Sequence, residues 1–418
     1  MKKADLIIKK AKQLLTIKSE GPKFGIEMKN LGIIQDGAVA ILGEKIVDVG
    51  VTKKILEEYH SENIINATGK VVMPGFVDPH THPIFVKTRE DEFEMRILGK
   101  SYKEISQSGG GIRASIKGVR KASREELVEL GLKRIQKMLE QGTTTIEAKS
   151  GYGLSTDSEM KMLEAISELN EISEMDIIPT FLGAHEFPEE YKDTPEKYIK
   201  ILIEVMLPEV WNRNLAEYCD IFCEEHVFNI EQSRKILLEA KKLGFKIRMH
   251  ADELEPIGGA ELAAEIGAIS ADHLVAISDI GITKMKEANV MPVLLPGTTF
   301  NFGLKKYAPA RKMIEAGLPI ALATDFNPGS CHCDSMQTVI SIACIEMRLL
   351  PLEAIVASTI NAAYSLELGD KIGSIEVSKK ADILIMDIPS YKYLPYHLGS
   401  NCVDKVIKKG KLIKNNEN

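Results

Sequence analysis

An α/β fold built on a TIM-like (β/α)8 barrel, with a small composite β-sandwich domain assembled from both termini, is the class this sequence predicts. Three observations carry that expectation. The middle of the chain alternates short apolar strands with longer helical patterns, and it counts to eight such units, the number that closes a parallel barrel of about 250 residues. Both ends carry short alternating runs broken by Gly-rich turns, each set too small to make a stable sheet alone. Metal-binding and proton-transferring residue types end many of the central strands, as the C-terminal rim of a barrel requires. The competing architecture is an open doubly wound sheet, but no Gly-x-Gly-x-x-Gly follows the first strand to support it.

The elements follow in order, with boundaries at 1–72, 73–365 and 366–418. In the first segment Gly37–Gly43 and Lys45–Val49 alternate as half-buried strands. The last segment repeats the style in Ile372–Val377, Ala381–Asp387 and Val403–Gly410, and residues 411–418 are expected to fray. The barrel segment opens on Val72-Met-Pro-Gly-Phe-Val-Asp-Pro-His-Thr-His82. Read as one strand, it points His80 and His82 to the same face. Residues 123–139 have helical periodicity behind a Ser-x-x-Glu capping box. Strand Thr143–Ala148, helix 156–173, strand Asp176–Leu182, helix 195–216, strand Asp220–Cys223 and helix 230–243 come next. Strands Lys246–His250, Ser270–His273, Val290–Leu295 and Pro319–Asp325 complete the set.

Composition excludes several function classes. A formal net charge of -7, with basic residues interspersed among acids, argues against nucleic acid or an anionic membrane as partner. The apolar run near the N-terminus is only Leu6-Ile-Ile8, too short for a signal-peptide core, and no stretch approaches a membrane span, so a cytoplasmic protein is expected. Six cysteines in such a chain are expected to stay reduced. Cys331-His332-Cys333 has no second cysteine pair well placed to complete a structural zinc site.

Set side by side, the strand ends make a constellation. His80 and His82 lie on the first, His185 after the third, His250 on the fifth, His273 on the sixth and Asp325 on the eighth. Singly, each is more simply a satisfied core histidine or a helix cap. Together they put metal and proton chemistry at one rim.

The motifs Pro-Gly-Phe-Val-Asp-Pro-His80-Thr-His82, Glu147-Ala-Lys-Ser-Gly-Tyr-Gly153, Leu182-Gly-Ala-His185, His250-Ala-Asp-Glu253, Ala271-Asp-His273 and Thr324-Asp-Phe-Asn-Pro-Gly-Ser330 span nearly the whole chain. In them the sequence resembles the amidohydrolase superfamily of metal-dependent hydrolases and, within it, the imidazolonepropionase family. That resemblance implies hydrolysis of 4-imidazolone-5-propanoate to N-formimidoyl-L-glutamate in histidine degradation. It implies His80, His82, His250 and Asp325 as ligands of one ion. Three imidazoles and a carboxylate suit Zn2+ or Fe3+ and leave a position for water. Binuclear relatives carry a bridging modified lysine at the end of strand four, where this chain reads Phe222-Cys-Glu-Glu-His226; Lys149, on strand two, is expected to form salt bridges or shape its loop. Glu253, His273 and Asp325 share the proton-transfer roles without an order among them, and Glu253 is also matched to substrate binding, against the ring. Arg89 resembles the family's arginine for the substrate carboxylate, Tyr152 its substrate-binding tyrosine and Tyr102 an assisting one. His185 is matched to the imidazolone ring, and Asn327, Gly329 and Ser330 to the loop that meets the product. A homodimer is the expectation from the family. A deaminase or hydantoinase-like hydrolase of the same superfamily is the alternative enzyme, and a catalytically dead scaffold the alternative of another class. Gly109-Gly-Gly111 lacks the Gly-Lys-Ser/Thr ending of a phosphate loop and is read as a flap, while His60 and His397 are read as surface residues and His226 and His332, near the rim, stay unassigned. The hairpin Ser378-Lys-Lys-Ala-Asp382 has Ser where many relatives have Gly, at a cost if that position needs a positive φ.

Overall fold

A computed structural model describes residues 1–100, 104 and 110–415. Eight parallel strands neighbour one another in chain order, numbered here β1 Phe76–Asp78, β2 Thr143–Lys149, β3 Asp176–Ala184, β4 Tyr218–Cys223, β5 Lys246–Ala251, β6 Ser270–His273, β7 Met291–Leu294 and β8 Ala321–Leu322. Helices pack around this ring as the α/β alternation requires. Those used below are α1 Glu90–Ile97, α2 Ile112–Lys121, α3 Arg124–Glu140, α4 Thr156–Ile172 and α5 Ile230–Leu243. Ser123 caps α3 by accepting the Glu126 N–H, as the capping box predicts.

Five sequence expectations need correction. Val72–His82 is not one strand. Val71–Pro74 pairs with Gln13–Leu15 and Ile383–Met386 in a second sheet, and only Phe76–Asp78 enters the barrel. Gly75 makes the transfer, since a Cβ there would lie 2.3 Å from Thr144 Oγ1. The eighth strand is shortened to Ala321–Leu322 because the Thr324 N–H is taken by the Asp78 carboxylate and Asp325 turns to φ +53. Ile372–Val377 forms no strand, although Ile372 and Ile375 are buried, and the expected tail instead pairs Lys411–Asn415 with Val403–Lys408. The 195–216 helix is interrupted by a π turn at Leu202–Met206, just before Pro208, which has no N–H to continue the ladder.

Strands from both termini share one sheet, and N-terminal strands make a second that packs with it. One has six strands, with Val71–Pro74 between Gln13–Leu15 and Ile383–Met386; the other has four, centred on Leu6–Ala11 and Gly37–Leu42. Ile8, Leu14, Val39, Val72, Ile383 and Ile407 form their common core. A half-buried charge cluster fastens them to the barrel: Asp176, opening β3, lies 3.0 Å from both Lys380 and Lys408 and 2.7 Å from Lys409.

Candidate active site

The ring closes at its chemical end. β1 and β8 are both too short to pair along their length, and the residues just beyond them do so instead. The Asp325 N–H donates to the His80 carbonyl (3.1 Å), and the His82 N–H donates to the Phe326 carbonyl (2.8 Å). Below this seam the Asp78 carboxylate accepts the Thr324 N–H (3.0 Å) and hydroxyl (2.5 Å). Arg134 on α3 donates to the carbonyls of Pro83 (3.0 Å) and Phe85 (2.6 Å), so the chain leaving His82 is clamped as well. Predicted ligands from opposite ends of the barrel segment are thus held by the backbone itself.

Their donor atoms converge. His80 Nε2 is 3.3 Å from His82 Nε2, and Asp325 Oδ1 lies 3.6 and 3.5 Å from those two nitrogens. For metal–ligand distances near 2.1 Å, the edge of a tetrahedron is about 3.4 Å. His80, His82 and His250 form one group with donors within 4.8 Å of one another, and His80, His273 and Asp325 form a second. The far nitrogens are engaged as a metal site needs: His80 Nδ1 lies 2.6 Å from Asp272 Oδ2, and His250 Nδ1 lies 3.1 Å from Asp220 Oδ2. His82 Nδ1 has no such partner among the described residues, and its ring is stacked on His185 at 5.3 Å and 17°. Burial, then Lys149, keeps His80 neutral; burial also pushes His82 and His273 well below the usual range. Burial works the same way on His250, but Asp220 outweighs it and raises that imidazole.

Beneath the histidines lies a dry layer of charge. Lys149 Nζ contacts Glu147 (2.6 Å) and Asp220 (2.7 Å), with Asp272 at 3.9 Å; Arg248 reaches Asp272 at 3.4 Å and donates to the Ser365 and Pro79 carbonyls. Only the salt-bridging of Lys149 is anticipated from sequence. Asp78, Asp220, Asp272, Arg248 and Glu159 are missed, although Glu147/Lys149 and Arg248/His250 have the two-residue spacing of inward-facing strand positions. Asp272 could not have been read that way, because alternation would send it and His273 to opposite faces. A φ of +74 at His273 breaks the pleat, so Asp272 bonds His80 while the His273 ring also sits 5.4 Å from it.

The remaining predicted residues surround this floor. Tyr152 and His185 lie 5.3 Å apart by ring centroid. Their loop is held by Glu159, whose carboxylate accepts the N–H groups of Gly151, Gly153 and Leu154, while His185 Nδ1 is 2.9 Å from the Gly151 carbonyl. Glu253 is 3.6 Å from His273 Nδ1; burial, then Asp325, pushes its carboxyl up to about 8. Burial, partly offset by Thr298, raises Asp325 to about 6. Arg89 pairs with Glu92 at 2.8 Å, has no partner for its buried Nε among the described residues, and lies against Gly329, where a Cβ would meet the guanidinium at 2.3 Å. Asn327 spends its side chain on its own loop, accepting from the Gly329 and Ser330 N–H groups and donating to the Asp325 carbonyl and Ser330 Oγ. Tyr102 and Gly109 lie outside the described residues. Gly111 is described, and its N–H donates to Glu92.

Residues 71–413 match the amidohydrolase family. A curated imidazolonepropionase of Alkaliphilus oremlandii is 50% identical, with 98% of each chain covered, and one of Clostridium tetani is 46% identical over 99% of each. Among solved structures, a 5-methylcytosine deaminase of Klebsiella pneumoniae superposes with a TM-score of 0.74 over 98% of both chains, and E. coli guanine deaminase with 0.70 over 98% of this chain and 100% of its own. Those two are 15% identical to this chain and speak for the fold alone. With the parallel ring, the converging histidines and near-complete coverage of such relatives in view, the chain belongs to the amidohydrolase family, among the imidazolonepropionases.

Proposed function

We propose that the protein hydrolyses the ring C–N amide bond of 4-imidazolone-5-propanoate to N-formimidoyl-L-glutamate, the ring-opening step of histidine degradation. The observation that carries this reading is the juxtaposition of converging His80, His82 and Asp325 donors with a loop that packs Arg89 against Gly329. In this reading His80, His82, His250 and Asp325 hold one Zn2+ or Fe3+. Glu147, Asp220, Asp272 and Asp325 outnumber Lys149 and Arg248, and a multivalent cation supplies the missing positive charge. A single ion is favoured because β4, Tyr218–Cys223, contains no lysine and Lys149 is already held by carboxylates. The bound ion contributes Lewis acidity, acidifying water toward neutral pH.

The chain's own groups bind and move protons. Arg89 takes the propionate carboxylate, since a guanidinium offers two parallel N–H donors. Tyr152 and His185 bracket the ring. Asp325 receives the proton of the attacking water, and His273 faces the ring carbonyl. Water oxygen bonds to the carbonyl carbon, the C–N bond breaks, and Glu253, protonated near neutral pH, gives the leaving nitrogen its proton. Asn327, Gly329 and Ser330 shape the floor that product leaves. The same reading carries a cytoplasmic homodimer.

Turnover of imidazolonepropionate tests it directly. Arg89→Ala is expected to raise KM about tenfold or more with a smaller change in kcat, and His273→Ala to lower kcat by about 10²-fold or more. An unchanged KM for the first removes the carboxylate assignment; full kcat in the second removes the catalytic one.

A further inference from the structure

Lys149 is wholly buried, charged and absent from the steps above. Its position is unusual in three ways. Its backbone N–H donates to the Thr81 carbonyl (3.0 Å), so it braces the turn between His80 and His82. Its ammonium group touches Asp220, the carboxylate on which His250 leans, and it lies 3.9 Å from Asp272, on which His80 leans. Those two carboxylates differ in their other support. Asp272 also has Arg248 (3.4 Å) and the Ser270 hydroxyl (2.7 Å), whereas the described hydrogen bonds of Asp220 beyond Lys149 and His250 include the Ile221 N–H but no second cation.

We propose that Lys149 is a positioning residue for the metal site, acting chiefly through Asp220: its ammonium group holds that carboxylate so that the His250 ring presents Nε2 to the ion. This rests on the metal reading above and deepens it. The physics is that of a buried anion. A buried carboxylate that loses the cation against it turns toward other donors, and that removes the acceptor that fixes the imidazole's orientation. The competing role is structural: Lys149 also neutralises Glu147, and loss of that pairing alone would weaken the fold and leave the metal site intact.

Cobalt separates the two. Metal-free protein is titrated with Co2+, recording the dissociation constant and the visible ligand-field absorption, for wild type, Lys149→Met, Asp220→Asn and the double variant. Each single variant is expected to bind Co2+ about 10- to 100-fold more weakly, with the same change in absorption. The double variant is expected to be no weaker than the weaker single one. Wild-type affinity and spectrum in Lys149→Met, or losses that multiply in the double variant, overturn the proposal. If Lys149→Met loses its far-UV dichroism, Lys149→Gln, which keeps a donor without the charge, is put through the same comparison and judged by the same outcomes. Failure of the wild type to take up cobalt overturns the metal reading itself, and this inference with it.

Discussion

Ser378 sits at φ +78 in the returning hairpin, with its N–H on the Ile46 carbonyl. A left-handed conformation costs a non-glycine residue about 1–2 kcal/mol, part of which glycine would return as backbone entropy. Ser378→Gly is therefore expected to stabilise the protein by about 0.5–1 kcal/mol and leave kcat unchanged; a lower melting temperature refutes it. This residue was legible in the sequence because a chemical departure from the family coincided with a conformational demand. Arg89 is suggested in the sequence only by the family resemblance, and its close packing against Gly329, where a Cβ would meet the guanidinium, is visible in the fold alone. The carboxylates under the histidines were not: nothing local in Asp220 or Asp272 says which imidazole will reach it from another strand.

At the scale of elements, the Ser150–Leu154 loop shows how a helix serves the site. Glu159, on the first turns of α4, gathers three N–H groups of that loop, and Arg120 on α2 donates to the Gly153 (2.7 Å) and Leu154 (2.9 Å) carbonyls from the other side. In Glu159→Gln one acceptor oxygen becomes a donor facing an N–H. We expect a loss of about 1–3 kcal/mol in stability and at least a tenfold lower kcat/KM through Tyr152 and His185, measured by melting and steady-state kinetics. A full-activity variant would show that the loop needs no such anchor. Helix boundaries such as Thr156–Ile172 and Ile230–Leu243 follow the apolar period closely, because each helix buries one stripe. The strand limits follow it poorly at β1 and β8. Side-chain capture of a backbone N–H by Asp78 and a glycine forced by Thr144 end those pairings, and both are contacts across the fold.

For the molecule as a whole, Asp176 ties the barrel to the sheets made from both termini. Burial acts to raise its carboxyl, but Lys408, Lys409 and Lys380 prevail and hold it well below the usual carboxylate range. A depressed carboxylate stabilises the fold above its unfolded pKa of about 3.9, and that contribution is lost as pH falls through the folded value. Asp176→Asn is accordingly expected to cost about 2–3 kcal/mol at pH 7, with the gap to wild type narrowing below about pH 4. A gap independent of pH would assign the loss to packing. The pairing of the two termini was legible from their matching rhythm, whereas this lysine cluster depends on residues more than 200 positions from Asp176.

The seam between β1 and β8 has a further consequence, for how the protein is made. His82 and Asp325 lie on either side of some 240 intervening residues, so a chain still emerging from the ribosome holds the histidines of the site before it holds the carboxylate that joins them. The order of synthesis therefore leaves the converging donor set incomplete until the last strand arrives, and the closing of that long loop, slow by its entropy, becomes the step in which the enzyme first acquires its chemistry.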